Sequence, residues 1–425
     1  MSHGFWERLS LAFRIPGYRW IWGSSFFAAS GFMTSTLVQG WLILELTDSP
    51  LMVGLAPALG GMVNMAVSPF GGVLADRLNR RSLLIFCQSL GAAIFLALGL
   101  LTAFDIIQLW HLLVASTLQG ANQGLQQPAR SSLMYDLVGR RAVMNAMAGQ
   151  FMAFHGAGVI GSFVAGLLLA SFGAGPVFLG VSGLVSLAAF LLTRLPNVPR
   201  TQTASGSFWG NLREGLGYTV HDKPIRAVMS VILLTETLGF SSRSMFPVVA
   251  RDVLHAGPVV LGLLSTLWGV GGMVSSILLS AAGNIRPKGW VFMGSAVGFG
   301  ALLVLFAVSR SVPLSLAAAL LAGGCGVVYD TLANTLLQTL SPDVMRGRVM
   351  GLYSVLISGF SLGALVMGSL ASLWGVTAAI AAGGGAVSLN ALRAMPSARL
   401  VGERSALEPG TPGGGPERSP SPTQG

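Results

Sequence analysis

Long apolar runs follow one another along almost the whole chain, separated by short polar breaks: residues 20–44, 51–75, 82–104, 109–126, 142–171, 177–193, 225–250, 258–282, 290–309, 312–340, 344–373 and 376–392. Each is close to the ~20 residues that a helix needs to cross ~30 Å of hydrocarbon. Backbone amides find no water at that depth, so a run must be helical or belong to a closed barrel. Barrel strands alternate apolar and polar residues over about ten positions, and these runs do not. The pattern predicts an all-α membrane protein of twelve transmembrane helices.

The segments between the runs divide the chain further. Residues 1–19 carry Phe5, Trp6, Leu9 and Phe13 at helical spacing and read as an interfacial helix on the membrane surface. Residues 20–194 form a first six-helix bundle and 224–393 a second. The connection 195–223 places Phe208, Leu212 and Leu216 on one helical face beside Arg213 and Glu214, as a helix lying flat on the membrane would. From residue 394 the composition turns to Gly, Pro, Ser and Glu, which predicts a tail without structure. The first run is full length and lacks a small-residue cleavage site, so it is expected to remain as an anchor.

The two bundles repeat each other. Gly149, Gly161, Gly166 and Gly173 recur as Gly351, Gly363, Gly368 and Gly375, at one offset of 202 positions (351 − 149). The fifth run therefore matches the eleventh. Small residues at these places permit close helix contact in lipid, where packing must replace the hydrophobic drive.

Charge adds orientation. The chain of 425 residues is 52% apolar and 9% charged, yet its formal net charge is +10. A basic total can indicate nucleic acid, but here position decides. All but Arg243, Arg251 and Arg310 of the 25 Lys and Arg residues fall on one side of the predicted membrane. The positive-inside rule makes that side cytoplasmic, with both termini there. The two cysteines, Cys87 and Cys325, stand alone in apolar runs and suit neither a metal site nor a disulfide framework.

Residues 72–81, Gly-Val-Leu-Ala-Asp-Arg-Leu-Asn-Arg-Arg, follow the second run. This stretch resembles the signature loop of the major facilitator superfamily, with Asn79 in place of the usual Gly. The equivalent break in the second bundle, residues 283–288, is a degenerate copy without the acid. Residues 41–50 (Trp-Leu-Ile-Leu-Glu-Leu-Thr-Asp-Ser-Pro), 127–130 (Gln-Pro-Ala-Arg) and 342–351 (Pro-Asp-Val-Met-Arg-Gly-Arg-Val-Met-Gly) resemble the branch that contains siderophore and macrolide exporters. The resemblance spans residues 11–392 and implies that superfamily's fold and alternating access. It also implies that Asp76 meets the N-terminus of the eleventh helix, where unpaired amides and Arg346 and Arg348 favour an anion. Such a contact would form only when the bundles close at that end. Arg77 is expected to pair with Asp136.

Charges inside a bilayer are costly and mark function by default. Glu236 lies about ten residues into the seventh run, hence ~15 Å deep, and is the leading candidate for a proton-accepting carboxylate at the mid-membrane site of this architecture. Arg243, on the same helical face nearer the outer mouth, is a candidate counter-charge or contact for an anionic substrate, and Asp330 is a second candidate acid. Gln39, Asn64, Gln119, Gln123, His155, Phe240 and Asn334 are candidate cavity residues. Two departures from the superfamily weaken the implication of proton coupling: Ser116 stands where many proton-driven members have Arg, and Ser162 follows Gly161 where the antiporter signature has Pro.

Residues 156–161, Gly-Ala-Gly-Val-Ile-Gly, match the dinucleotide fingerprint by letter, but they lie inside a membrane run with no strand before them. No nucleotide-phosphate loop occurs. The reading is therefore not an enzyme, with no cofactor, metal or nucleic acid. It is a monomeric secondary transporter of the bacterial inner membrane that exports a drug-like molecule or siderophore, with protons and membrane lipid as its other partners. A lysophospholipid or other lipid flippase of the same fold, and a membrane sensor or assembly partner that transports nothing, are the alternatives.

Overall fold

A computed structural model describes residues 12–195, 208–283 and 287–406 of the chain. The described residues are helical throughout, without a strand. In chain order the long helices are α1 (Pro16–Thr47), α2 (Pro50–Arg77), α3 (Arg80–Ala103), α4 (109–138), α5 (140–172), α6 (Ala174–Thr193), α7 (Lys223–Val253), α8 (Pro258–Ala282), α9 (Lys288–Val308), α10 (Val312–Leu340), α11 (Asp343–Trp374) and α12 (Val376–Ala394). Ten of them are long and apolar enough to cross a membrane. The other two are α4, whose apolar pattern is broken by Gln119, Asn122, Gln123, Gln126 and Arg130, and the short α12.

Local sequence sets most of the ends. Proline occupies the first turn of α1, α2, α7, α8 and α10, where its missing N–H would have had no partner. The turns between α5 and α6 and between α11 and α12 are each a single glycine, Gly173 (φ 76°) and Gly375 (φ 86°), in a conformation that other residues rarely adopt. These two belong to the glycine pairs matched by sequence, so the internal repeat extends to the turns.

The helices form two bundles related by a pseudo-two-fold axis. In the first, the chain of neighbours runs α2, α4, α3, α6, α1, α5; in the second it runs α8, α10, α9, α12, α7, α11. The bundles meet where α5 packs on α8 and α2 packs on α11. That seam lies at the arginine-poor end and is built from backbone. A Cβ on Gly166 would stand 2.8 Å from the Cα of Gly262, and one on Gly54 would strike the carbonyl of Ala364. Towards the arginine-rich end the bundles part. There the first half of α11 packs on its own bundle and on the connecting helix, and open space surrounds Gly72, Gly347 and Gly351. With the inter-bundle contacts gathered at the arginine-poor end, the space between the bundles opens as a chamber towards the arginine-rich end. Large apolar side chains such as Phe104, Phe172 and Ile277 are exposed on the outside, as lipid contact requires.

Four expectations need correction. The fourth run does not end at residue 126: α4 continues to 138 and is separated from α5 only by Gly139 (φ 67°), so Arg130 lies within a helix and not in a break. The seventh run is not a regular helix. It passes from α-helix into a π-turn over Thr235–Gly239, a 3₁₀ segment over Phe240–Met245 and a second π-turn over Val249–Val253. α11 is likewise interrupted, at Ser358. Finally, the chain after residue 394 does not lose structure at once. It turns through Met395–Ser397 into a helix, Ala398–Ala406, whose Ala398 and Val401 are buried. Gly289 of α9 makes the room, since a Cβ there would strike the carbonyl of Ala398. The expected interfacial segment with Phe5, Trp6 and Leu9 lies outside the described residues, as does the tail from residue 407.

The connection between the bundles contains a helix, Phe208–His221. It rests on the start of α11, with Gly215 against the backbone of Arg348 and Glu214 paired to Arg348 at 2.7 Å.

Candidate functional site

The irregular part of α7 carries the chemistry of the second bundle. A π-turn admits one extra residue per turn and re-aims the side chains around it. Here it is packed against the break in α11: Gly363 sits on the carbonyl of Thr237, and a Cβ on Gly359 would stand 3.2 Å from the Thr237 hydroxyl. Within this turn Glu236 is 5% exposed and accepts no hydrogen bond from any described residue. It lies within Coulombic reach of Asp330 on α10. Asp330 in turn accepts a 2.7 Å hydrogen bond from the hydroxyl of Tyr353 on α11. The hydroxyls of Thr235 and Tyr329 are buried side by side nearby. Two of the expected acids are thus brought together from α7 and α10 of one bundle, with Tyr353 of α11 beside them.

Phe240, one turn beyond Glu236, anchors an aromatic cluster. Its ring centroid is 5.0 Å from Phe299 and 6.2 Å from both Trp268 and Tyr329. It is core as much as cavity wall. Arg243 stacks on Trp268, 5.5 Å from the ring centroid, and pairs with no carboxylate among the described residues. It lies within Coulombic reach of His155 of α5, in the other bundle. His155 is itself wedged against Phe151 and Phe154, at 4.1 and 5.7 Å. Asn334 accepts from Gln338 at 2.6 Å, one turn beyond the acid cluster.

In the first bundle the expected cavity residues have different fates. Gln39 is 8% exposed and ties α1 to α4, donating to the carbonyl of Leu112 (2.8 Å) and to Ser116 (2.9 Å). It is a strut. Asn64 is half-buried, with its carbonyl against Gly124 of α4. Gln119 and Gln123 do line a cleft, together with Gln88, Asn122 and Gln126. Beside them Arg130 donates to Ser25 of α1 (2.6 Å) and to Gln126 (2.7 Å), and Gln150 of α5 also donates to Ser25 (2.7 Å). Sequence reasoning missed Gln88, Asn122, Gln126, Arg130 and Gln150. The signal was present in the spacing of 119, 122, 126 and 130 along one helix face, but the arginine was counted with the topological breaks.

At the two ends of the chamber, charge is arranged differently. At the open end Asp136, 3% exposed, pairs with Arg80 and not with Arg77. The extra length of α4 explains this, because it carries Asp136 onto the first turn of α3, whereas Arg77 ends α2 exposed. Asp76 reaches Arg80 at 3.4 Å and does not meet α11. Arg346 is held by Asp343 (2.8 Å) and the carbonyl of Gln338 (3.0 Å), and Arg348 by Glu214. At the closed end Arg251 of α7 donates to Asp48 (2.8 Å) and to the carbonyl of Leu44 (3.0 Å), capping α1 across the bundle boundary. That tie was not foreseen. No group of three or more potential metal ligands occurs among the described residues.

Comparison with known proteins gives a consistent picture. A family model described as a transmembrane secretion effector matches residues 10–412. The chain is 24% identical over 347 residues to the enterobactin exporter EntS of Shigella boydii serotype 4 (strain Sb227), covering 80% of this chain and 82% of that one. It is 25% identical over 348 residues, with the same coverage, to EntS of Escherichia coli O1:K1 / APEC. Among solved structures, the nucleoside transporter NupG superposes with a TM-score of 0.71 at 14% identity, over 89% of this chain and 98% of that one. A bacterial homologue of the human lysosomal transporter Spinster, in an inward-facing and occupied conformation, superposes with a TM-score of 0.67 at 15% identity, over 95% and 98%.

Proposed function

The chain belongs to the transmembrane secretion effectors of the major facilitator superfamily, a multi-pass membrane transporter and not an enzyme, and on that premise we propose that it exports a small molecule from the bacterial cytoplasm in exchange for protons. The arginine-rich end is taken as cytoplasmic, both termini included, which makes the present arrangement the one that loads cargo from inside. Relatives named as enterobactin exporters support a cargo of the siderophore or drug-like kind. The membrane is then the inner membrane.

The observation that carries this reading is the position of Glu236. A carboxylate buried without a hydrogen bond, beside a second acid, on a helix whose backbone order breaks at that point, is the arrangement expected of a group that takes a proton in one state and releases it in another. When Glu236 loses its proton, repulsion from Asp330 and the cost of an unpaired buried charge favour a rearrangement of α7 against α11 that returns it to water. Proton entry then resets the chamber. The exchange is tested by loading a panel of siderophores and antibiotics into efflux-deficient cells that express the protein. Extrusion that is abolished both by an uncoupler and by Glu236→Gln is the expected result; accumulation insensitive to the protein would overturn it.

A further inference from the structure

Helices α1 and α4 are tied at two heights, by Gln39 to Leu112 and Ser116 near the closed end and by Arg130 to Ser25 nearer the open end. Between the ties they gape. The cleft has Ala28 and Phe32 on one wall and the α4 carboxamides on the other, with Gln88, Gly91 and Phe95 of α3 and Val185 of α6 as its floor. Since α3 and α6 close it from behind, its mouth faces the side on which α2 and α5 meet the other bundle, which is the chamber side.

This cleft is polar without being satisfied. Gln88 is 3% exposed and its side-chain nitrogen has no partner; Asn122 is 8% exposed and its carbonyl oxygen has none; the Gln119 nitrogen is buried and equally alone. A buried polar group left unpaired costs about 1–3 kcal/mol, and three around one space are more than packing alone would retain. Room beside a glycine, with a Cβ on Gly91 lying 3.3 Å from the Asn122 nitrogen, keeps the floor open. The cavity is about 50 Å³, enough for about three to five heavy atoms but far too small for a whole cargo molecule. Its charge bias is one-sided: no carboxylate lines it, and Arg130, which pairs with no acid among the described residues, abuts it through Gln126.

We propose that this cleft is a headgroup pocket that takes a compact, oxygen-rich end of the cargo, neutral or anionic and of the size of a carboxylate or carboxamide, and refuses a cation. The proposal rests on the export reading for what arrives there, but the pocket itself can be tested without transport. Carboxamides present both a donor and an acceptor, so a hydroxy-carboxylate satisfies the lone groups of Gln88, Gln119 and Asn122 together.

The full-length protein in detergent is probed by saturation-transfer NMR with glycolate, glycolamide and ethanolammonium, three hydroxylated two-carbon fragments of similar size and different charge. Glycolate and glycolamide are expected to take up saturation and ethanolammonium is not. Gln88→Leu and Gln119→Leu should each weaken glycolate at least about tenfold, without lowering the thermal unfolding midpoint, because each removes a lone buried donor and keeps the volume. Binding unchanged in both variants, saturation of ethanolammonium equal to that of glycolate, or no signal from any fragment, as for a pocket that holds only water, would overturn the proposal. Fragment binding lost in both variants, in a protein that moves no cargo in cells, would instead sustain the pocket and reject the export reading.

Discussion

The two ends of this molecule hold their bundles by different means. At the arginine-poor end the contact is backbone on backbone, Gly166 with Gly262 and Gly54 with the Ala364 carbonyl, fastened by Arg251 on the capped end of α1. At the arginine-rich end there is no such seam among the described residues, and several charges are paired locally: Asp76 and Asp136 with Arg80 and Arg346 with Asp343 inside one bundle, and Arg348 with Glu214 of the connecting helix. On the transport reading proposed above, the difference is what would let two states lie close in free energy. Dispersion across a glycine seam falls off steeply, since a gap of ~0.5–1 Å already forfeits about a quarter to a half of it. Charges that are paired locally when the chamber is open can exchange partners when it closes, so opening leaves none of them stranded.

The largest effect should come from spoiling the seam. Gly166→Leu forces a side chain into the backbone of α8, and overpacking of this kind costs about 1–3 kcal/mol or more. It should drive the bundles apart at the arginine-poor end and reduce extrusion to background, with the protein still inserted and expressed, as read by efflux and by immunoblot. Asp76→Asn comes next. On the expectation that Asp76 meets the N-terminus of α11 on closure, a carboxylate there is worth about 0.3–1 kcal/mol. In the open arrangement it makes a 3.4 Å, half-exposed pair with Arg80, so losing it disfavours chiefly the state closed at the arginine-rich end, and extrusion should fall about two- to fivefold. Arg251→Ala acts in the opposite sense by releasing the arginine-poor end, again by about 1 kcal/mol. Combined with Asp76→Asn it should restore part of the lost rate, a sign that no merely additive damage would produce. The smallest change is expected from Arg348→Ala, an exposed pair to the connecting helix worth about 0–1 kcal/mol, which should leave extrusion within twofold of the parent.

Much of this architecture was legible in the sequence because hydrophobic length and the placing of arginines act locally. The glycines matched between the halves include Gly173 and Gly375, both turn glycines at positive φ, and Gly166, Gly363 and Gly368, all at close helix contacts. What the sequence concealed depends on long-range packing. The π-turn at Glu236 exists because α7 lies against the break in α11, and nothing in the composition of residues 235–239 demands it. Arg130 was grouped with the surface arginines because Pro128 and a string of glutamines imitate the end of a membrane helix. The structure keeps α4 intact and turns those residues inward. Arg77 and Arg80 are equally good partners for Asp136 by sequence, and only the length of α4 selects Arg80. The tie from Arg251 to Asp48 joins residues from different bundles, which no local pattern records.

Alternation between the ends is tested most directly by a distance across the arginine-rich mouth. Spin labels at Leu78→Cys and Val344→Cys, both exposed, on a background with Cys87 and Cys325 replaced by alanine, report that separation by pulsed electron resonance in lipid nanodiscs. Two populations are expected, a long one matching the open mouth and a short one. The short one should grow in Arg251→Ala and shrink in Asp76→Asn. A single separation, unmoved by either substitution, would contradict the claim that these charges set the balance between two states of one chamber.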